Sequence, residues 1–161
     1  MTRAIIFLVA FIFAFVAQTV VAPIIQVLGA QPDFVLFFVV FLALRHGALV
    51  GVFWGFVSGF TLDIYADIHS LGAGALTMTI VGFAVGQLEE KFINLGLVTK
   101  VAVLGLAFFL NDAIYGVVTG MSRDTVTSMF ISKSLPDGIY TLVLGSLAFH
   151  FLYPRVSRHV S

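Results

Sequence analysis

Apolar runs separated by short polar clusters divide this chain into six segments, and no alternating pattern reads as strand. The first run covers residues 4–21, AIIFLVAFIFAFVAQTVV, preceded by Thr2 and Arg3. One positive charge before an apolar stretch also suits a cleaved signal peptide, but this run is long and Pro23 follows Ala22, where cleavage would fall. An uncleaved helix is expected. The second segment, residues 29–44, holds the shorter run DFVLFFVVFLAL, which reaches about 18 Å against a bilayer core of about 30 Å. It therefore either extends back through Leu28 or crosses obliquely among its neighbours. Pro32 opens it where a missing N–H costs nothing, and Asp33 stands in the first turn, where the helix dipole favours an anion.

The third segment, residues 47–65, carries Gly47, Gly51, Gly55 and Gly59, each four after the last, with Asp63 in the same register. Glycine inside a helix costs about 1 kcal/mol relative to alanine, so a row of four calls for close backbone approach by neighbouring helices. Packing within the subunit is the plain use of such a row. The pattern also predicts that this is the inner helix, touched by more than one partner. Residues 71–88 follow, with Gly72, Gly74, Gly82 and Gly86, and with Thr77 and Thr79 between them. The fifth segment, residues 98–120, contains Asn111 and Asp112, and residues 121–135 read as a polar loop. The sixth, residues 136–153, opens on Pro136 and Asp137, as the second opens on Pro32 and Asp33.

Composition settles the class. Of 161 residues 60% are hydrophobic and 10% charged, and mean hydropathy is +1.12, where a soluble domain carries about 25% charge. The expectation is all-α: a single integral membrane domain over 1–161, with six transmembrane helices. Lys and Arg set the orientation. With the N-terminus inside, Arg3, Arg45, Lys91, Lys100, Arg155 and Arg158 face the cytoplasm, and Arg123 and Lys133 face outward. That asymmetry predicts N-in/C-in, and dropping the short second span would destroy it. Net charge is zero, which gives no field for nucleic acid. Cysteine is absent, which removes disulfides and thiolate metal sites.

Two aspartates are the candidates for chemistry. Asp112 lies about 12 Å along its helix from the outer end, near the depth expected of Thr77 and Thr79. With no basic residue placed at that depth, Asn111, Tyr115 or a threonine hydroxyl is expected to hold it, either as a polar knot or in a ligand or proton role. Asp63 stands about 24 Å from Gly47, at the outer mouth, with Asp67 one turn on. Two solvated aspartates ending a helix account for the pair, although such a pair could also bind a divalent cation. Gly59, Asp63 and Asp67 resemble half of the CDP-alcohol phosphotransferase signature, but the first half is missing and Val50 occupies its arginine position. His46, His69, His150 and His159 fall at diverging depths, so no metal site, cofactor or catalytic constellation is expected. The aromatic residues read as lipid-facing surface and interface belt.

The string PDFVLFFVVFLALRHGALVGVFWGFVSGFTLDI, followed by HSLGAGALTMTIVGFAVGQ, resembles the rod shape-determining MreD family. Members share a Pro-Asp opening of a short second span, a glycine-rich third helix ending in Gly59, Leu62 and Asp63, and a Leu71-Gly72 start to the fourth. The resemblance implies a non-enzymatic scaffold in the bacterial inner membrane, multi-pass, in the cell-elongation machinery that regulates peptidoglycan synthesis. Implied partners are MreC and, through it, MreB and RodA with its transpeptidase; a homo-oligomer is left open. The implied fold is similar to the six-helix S components of energy-coupling-factor transporters. A true S component is the alternative reading, binding a vitamin-like solute with Asp63, Asp112 and the threonines as contacts. Short outer loops, with few polar groups to fix a solute, count against it.

Overall fold

The computed structural model describes residues 2–65, 71–89 and 96–152. The calls on Asp67, His69, Lys91, Arg155, Arg158 and His159 lie outside these residues. Among the described residues the chain is helical, apart from a turn closed by an isolated bridge between Val27 and Ala30. Helix α1 (Thr2–Val16) runs through a π turn, Ala17–Val21, into a last short turn, Ala22–Ile24. There follow α2 (Phe34–His46), α3 (Ala48–Tyr65), α4 (Ala73–Gly86) and α5 (Leu97–Val118). A short helix, Arg123–Met129, and a second π turn, Phe130–Ser134, lead into α6 (Leu135–Leu152). Residues Ala4–Ile24, Ala48–Tyr65 and Leu97–Val118 are long and apolar enough to cross a membrane, whereas Phe34–His46 and Ala73–Gly86 are shorter.

The inner helix is the second, not the third. Val35, Leu36, Val39, Val40, Ala43 and Leu44 of α2 are fully buried, while α3 exposes Leu49, Phe53, Phe56, Phe60 and Ile64 along one side. A short, wholly apolar helix can be surrounded on every side, whereas the glycines of α3 occupy only one stripe. Nor does α2 extend back through Leu28, because the chain turns there with Leu28 at φ 53° and Gly29 at φ 84°. Its 13 residues span about 20 Å. Two aromatic clusters fasten the outer helices to it. Phe11 of α1 and Phe38 of α2 each lie 5.5 Å, centroid to centroid, from Trp54 of α3, and Phe37 meets Phe149 of α6 edge-on at 5.1 Å.

The polar loop expected at 121–135 is helical instead. Ser122 caps Arg123–Met129 by accepting from the Thr125 amide at 3.3 Å, and the helix continues into α6 without a break. Pro136 therefore lies within a helix and does not open one. Proline removes a donor and its ring clashes with the carbonyl four residues back, so the ladder slips by one residue into a π turn. In that slip the Leu135 amide donates to the Phe130 carbonyl, and before Pro23 the Ala22 amide likewise donates to Ala17.

Candidate functional site

Helices α3 and α4 pack backbone against backbone. A Cβ added to Gly51 would fall on the Gly82 carbonyl, one on Gly55 on the Met78 carbonyl, and one on Gly59 on the Gly74 carbonyl. Gly82 and Gly86 answer from α4 by meeting Gly51 and Ala48. The row thus serves packing within the subunit, and α4 occupies it. Gly47 also meets α4, since a Cβ on Gly86 would lie 2.8 Å from its carbonyl carbon. It sits at φ 87° in the joint between α2 and α3, a left-handed conformation that other residues resist, and its amide caps Ala43.

Asp63, at the far end of the row, is not a solvated terminus. It is 2% exposed, and its carboxylate accepts from the amides of Gly72 (3.0 Å), Gly74 (3.0 Å) and Ala75 (2.9 Å). These amides begin α4, where the first N–H groups have no helical partner. The side chain needs Gly74 beside it, because a Cβ there would strike the carboxylate. Asp63 is therefore the N-terminal cap of α4, supplied from α3.

The two Pro-Asp segments meet. Asp33 caps α2 by accepting from Leu36 at 2.8 Å, and its own amide donates to Thr141 Oγ1 of α6 at 3.0 Å. Asp137 accepts from the Gln31 amide at 2.8 Å, and Gln18 of α1 accepts from the Phe34 amide at 2.7 Å. The start of α2, buried among other helices, thus has its free amides met by side chains of α1 and α6.

Asp112 lies beside Ser134 and Asn111. The threonines take no part. Thr77 and Thr79 hydrogen-bond back to the carbonyls of Ala73 and Ala75 in their own helix. A basic neighbour is present after all, since Lys133 of the second π turn faces the same space. Asn111 Oδ1 is buried and accepts no hydrogen bond.

These groups surround one cavity of about 570 Å³ at a single end of the bundle. Asp33, Asp63, Asp112 and Asp137 line it, with Gln18, Gln31, Asn111, Ser134 and Lys133. Its apolar wall includes Leu62, Met78, Phe108, Met121, Val126, Met129 and Phe130. Most of the polar groups come from helices and their caps, Gln31 being the loop residue among them, which is why counting loop residues missed them. The sequence reading singled out Asp63, Asp112 and Asn111 but not Lys133, the methionines, Phe108 or Phe130. Phe108, which is buried, departs from the lipid-facing role expected of the aromatics, whereas Phe13, Phe53 and Phe151 are exposed. One signal was available: three of the chain's four methionines line this cavity. Among the described residues no group of three or more His, Asp or Glu side chains converges as metal ligands do.

The family model described as rod shape-determining protein MreD matches residues 1–158. The chain belongs to the MreD family. No curated protein and no solved structure matches it. Membership makes it a membrane protein with a role in rod-shape determination. The joined glycine stripe, the Asp63 cap and the meeting Pro-Asp segments lie within the matched residues, so these features belong to an MreD chain.

Proposed function

We propose that this MreD chain is a non-enzymatic scaffold of the bacterial inner membrane. It crosses six times with both termini in the cytoplasm. It binds MreC, and through MreC couples MreB to RodA and its transpeptidase, so that peptidoglycan synthesis follows cell shape. The observation that carries this reading is the family match over 1–158, nearly the whole chain. The packing supports it as well. The glycine stripe of α3 is used up against α4, which leaves the opposite, phenylalanine-rich side of α3 and the exposed side of α1 as rigid surfaces for lipid or a partner helix. Phe53, Phe56 and Phe60 stand on that side of α3, and Ile5, Val9, Ile12 and Phe13 on α1.

Photocrosslinking in cells tests the proposal. A benzophenone amino acid is placed in turn at Phe13, Phe56 and Val143, one exposed position on each of three helices. A covalent adduct with MreC from at least one position is the expected result. Absence of MreC from all three, in cells whose rod shape depends on the chain, would overturn the direct contact.

A further inference from the structure

We propose that the segment 123–134, the short helix and the second π turn together, is a lid that swings about that turn to shut the cavity. The segment borders the space with an apolar side that is not packed. Val126, Met129 and Phe130 line the cavity, yet Met129 is 37% and Phe130 39% exposed. Leu62 of α3 and Met78 of α4 line the same space, whereas the segment packs chiefly on α5 and α6. Its apolar side therefore has a wall to close against. A swing toward α3 and α4 lays Met129 over Leu62 and Met78 and takes apolar surface out of water.

The chain is fastened differently on the two sides of the π turn. Beyond it, Ser134 is buried, Asp137 accepts from the Gln31 amide at 2.8 Å, and Tyr140 donates its hydroxyl to the Ile25 carbonyl at 2.8 Å. Before it, the Ser128 and Ser132 hydroxyls donate to carbonyls of the segment itself, those of Thr125 and Ser128. Side chains make its contacts with α5: Val126 stands against Gly116, and the Phe130 ring lies 5.5 Å from Phe109. Such contacts can be exchanged for others in a hinge motion. Both ends of the segment are built to turn. Gly120 sits at φ 65° with open space around it, and Pro136 gives no N–H to the Ser132 carbonyl, so the helical ladder is already broken where the lid joins α6.

The test uses the full chain in lipid nanodiscs, with nitroxide pairs attached to introduced cysteines, since the chain has none of its own. Leu76→Cys with Ser128→Cys reports on the lid, and Leu76→Cys with Val117→Cys on the fixed helices; all three positions are exposed. Distances are read by double electron–electron resonance. The lid pair is expected to show two distances, the shorter belonging to the shut form, and the fixed pair a single narrow one. Met129→Gln, at a residue exposed in the open form, should lower the share of the shorter distance several-fold, because closure then buries a polar group. Pro136→Ala returns a donor to the ladder and should leave the lid pair with one distance. A single narrow distance for the lid pair, two distances for the fixed pair, an unchanged share in Met129→Gln, or two distances persisting in Pro136→Ala overturns the proposal. The parent pairs and Met129→Gln decide the matter if the proline variant does not fold. MreC crosslinking is read separately, so a rigid lid leaves the scaffold standing, and loss of MreC contact leaves the lid standing.

Discussion

One carboxylate holds two helices in register. Asp63 ends the glycine stripe of α3 and receives three amides at the start of α4, so a single side chain both closes the packed interface and caps its second member. Where water is scarce, those amides have no other acceptor, and each left unpaired costs about 1–3 kcal/mol. Asp63→Ala is therefore expected to lower stability by about 3 kcal/mol or more. Asp63→Asn keeps one acceptor oxygen and should lose roughly half as much. Unfolding in detergent, followed by helical circular dichroism, measures both. An alanine variant as stable as the parent would show that the cap contributes nothing. Its place at the end of the glycine stripe was legible in the sequence; its burial and its partner were not. Gly72 lies nine positions on, across the segment 66–70, and no helical period connects the two.

At the scale of elements, the glycine spacing predicted a close-packed face, and the structure supplies its occupant. The four-residue repeat was legible because helical geometry puts those positions on one stripe. Its consequence was misjudged, since a stripe of glycine reports close contact on one side and says nothing of burial on the others. The fully apolar run of α2 was the better mark of an inner helix, and its shortness was the clue. Gly55→Ala sets two effects against each other. Helix propensity favours alanine by about 1 kcal/mol, whereas the added Cβ meets the Met78 carbonyl and lies 3.1 Å from Thr79 Cα. Backbone cannot swing aside as a side chain can, and overpacking costs about 1–3 kcal/mol. Net destabilisation is the expected sign, with a lower thermal midpoint. Gly96→Ala, where nothing lies within 4 Å of the added atom, should show no such loss. A more stable Gly55→Ala protein would mean that the two helices stand further apart than the Gly55–Met78 contact allows.

The whole molecule poses a question of count, because α2 and α4 are shorter than a bilayer core while the charge pattern asks each of them to cross. Burial resolves the apparent conflict for α2. Enclosed by protein, it need not match the lipid thickness, and the chain around Gln31 and Asp33 has its amides met by side chains of α1 and α6. Irregular backbone is tolerated at membrane depth when it is satisfied in that way. The absence of cysteine makes the count directly measurable, since any introduced thiol is unique. Ser128 is exposed at the cavity end and Gly96 is exposed between α4 and α5. If α2 crosses, six spans put Ser128 outside and Gly96 in the cytoplasm. If it does not, every later segment reverses, with Gly96 outside and Ser128 within. In spheroplasts, a membrane-impermeant maleimide should therefore label Ser128→Cys at once and Gly96→Cys only after lysis. The opposite pattern would remove α2 from the spans and set Gln18 and Asp33 on the other side of the membrane from Ser128, against their joint place around the cavity.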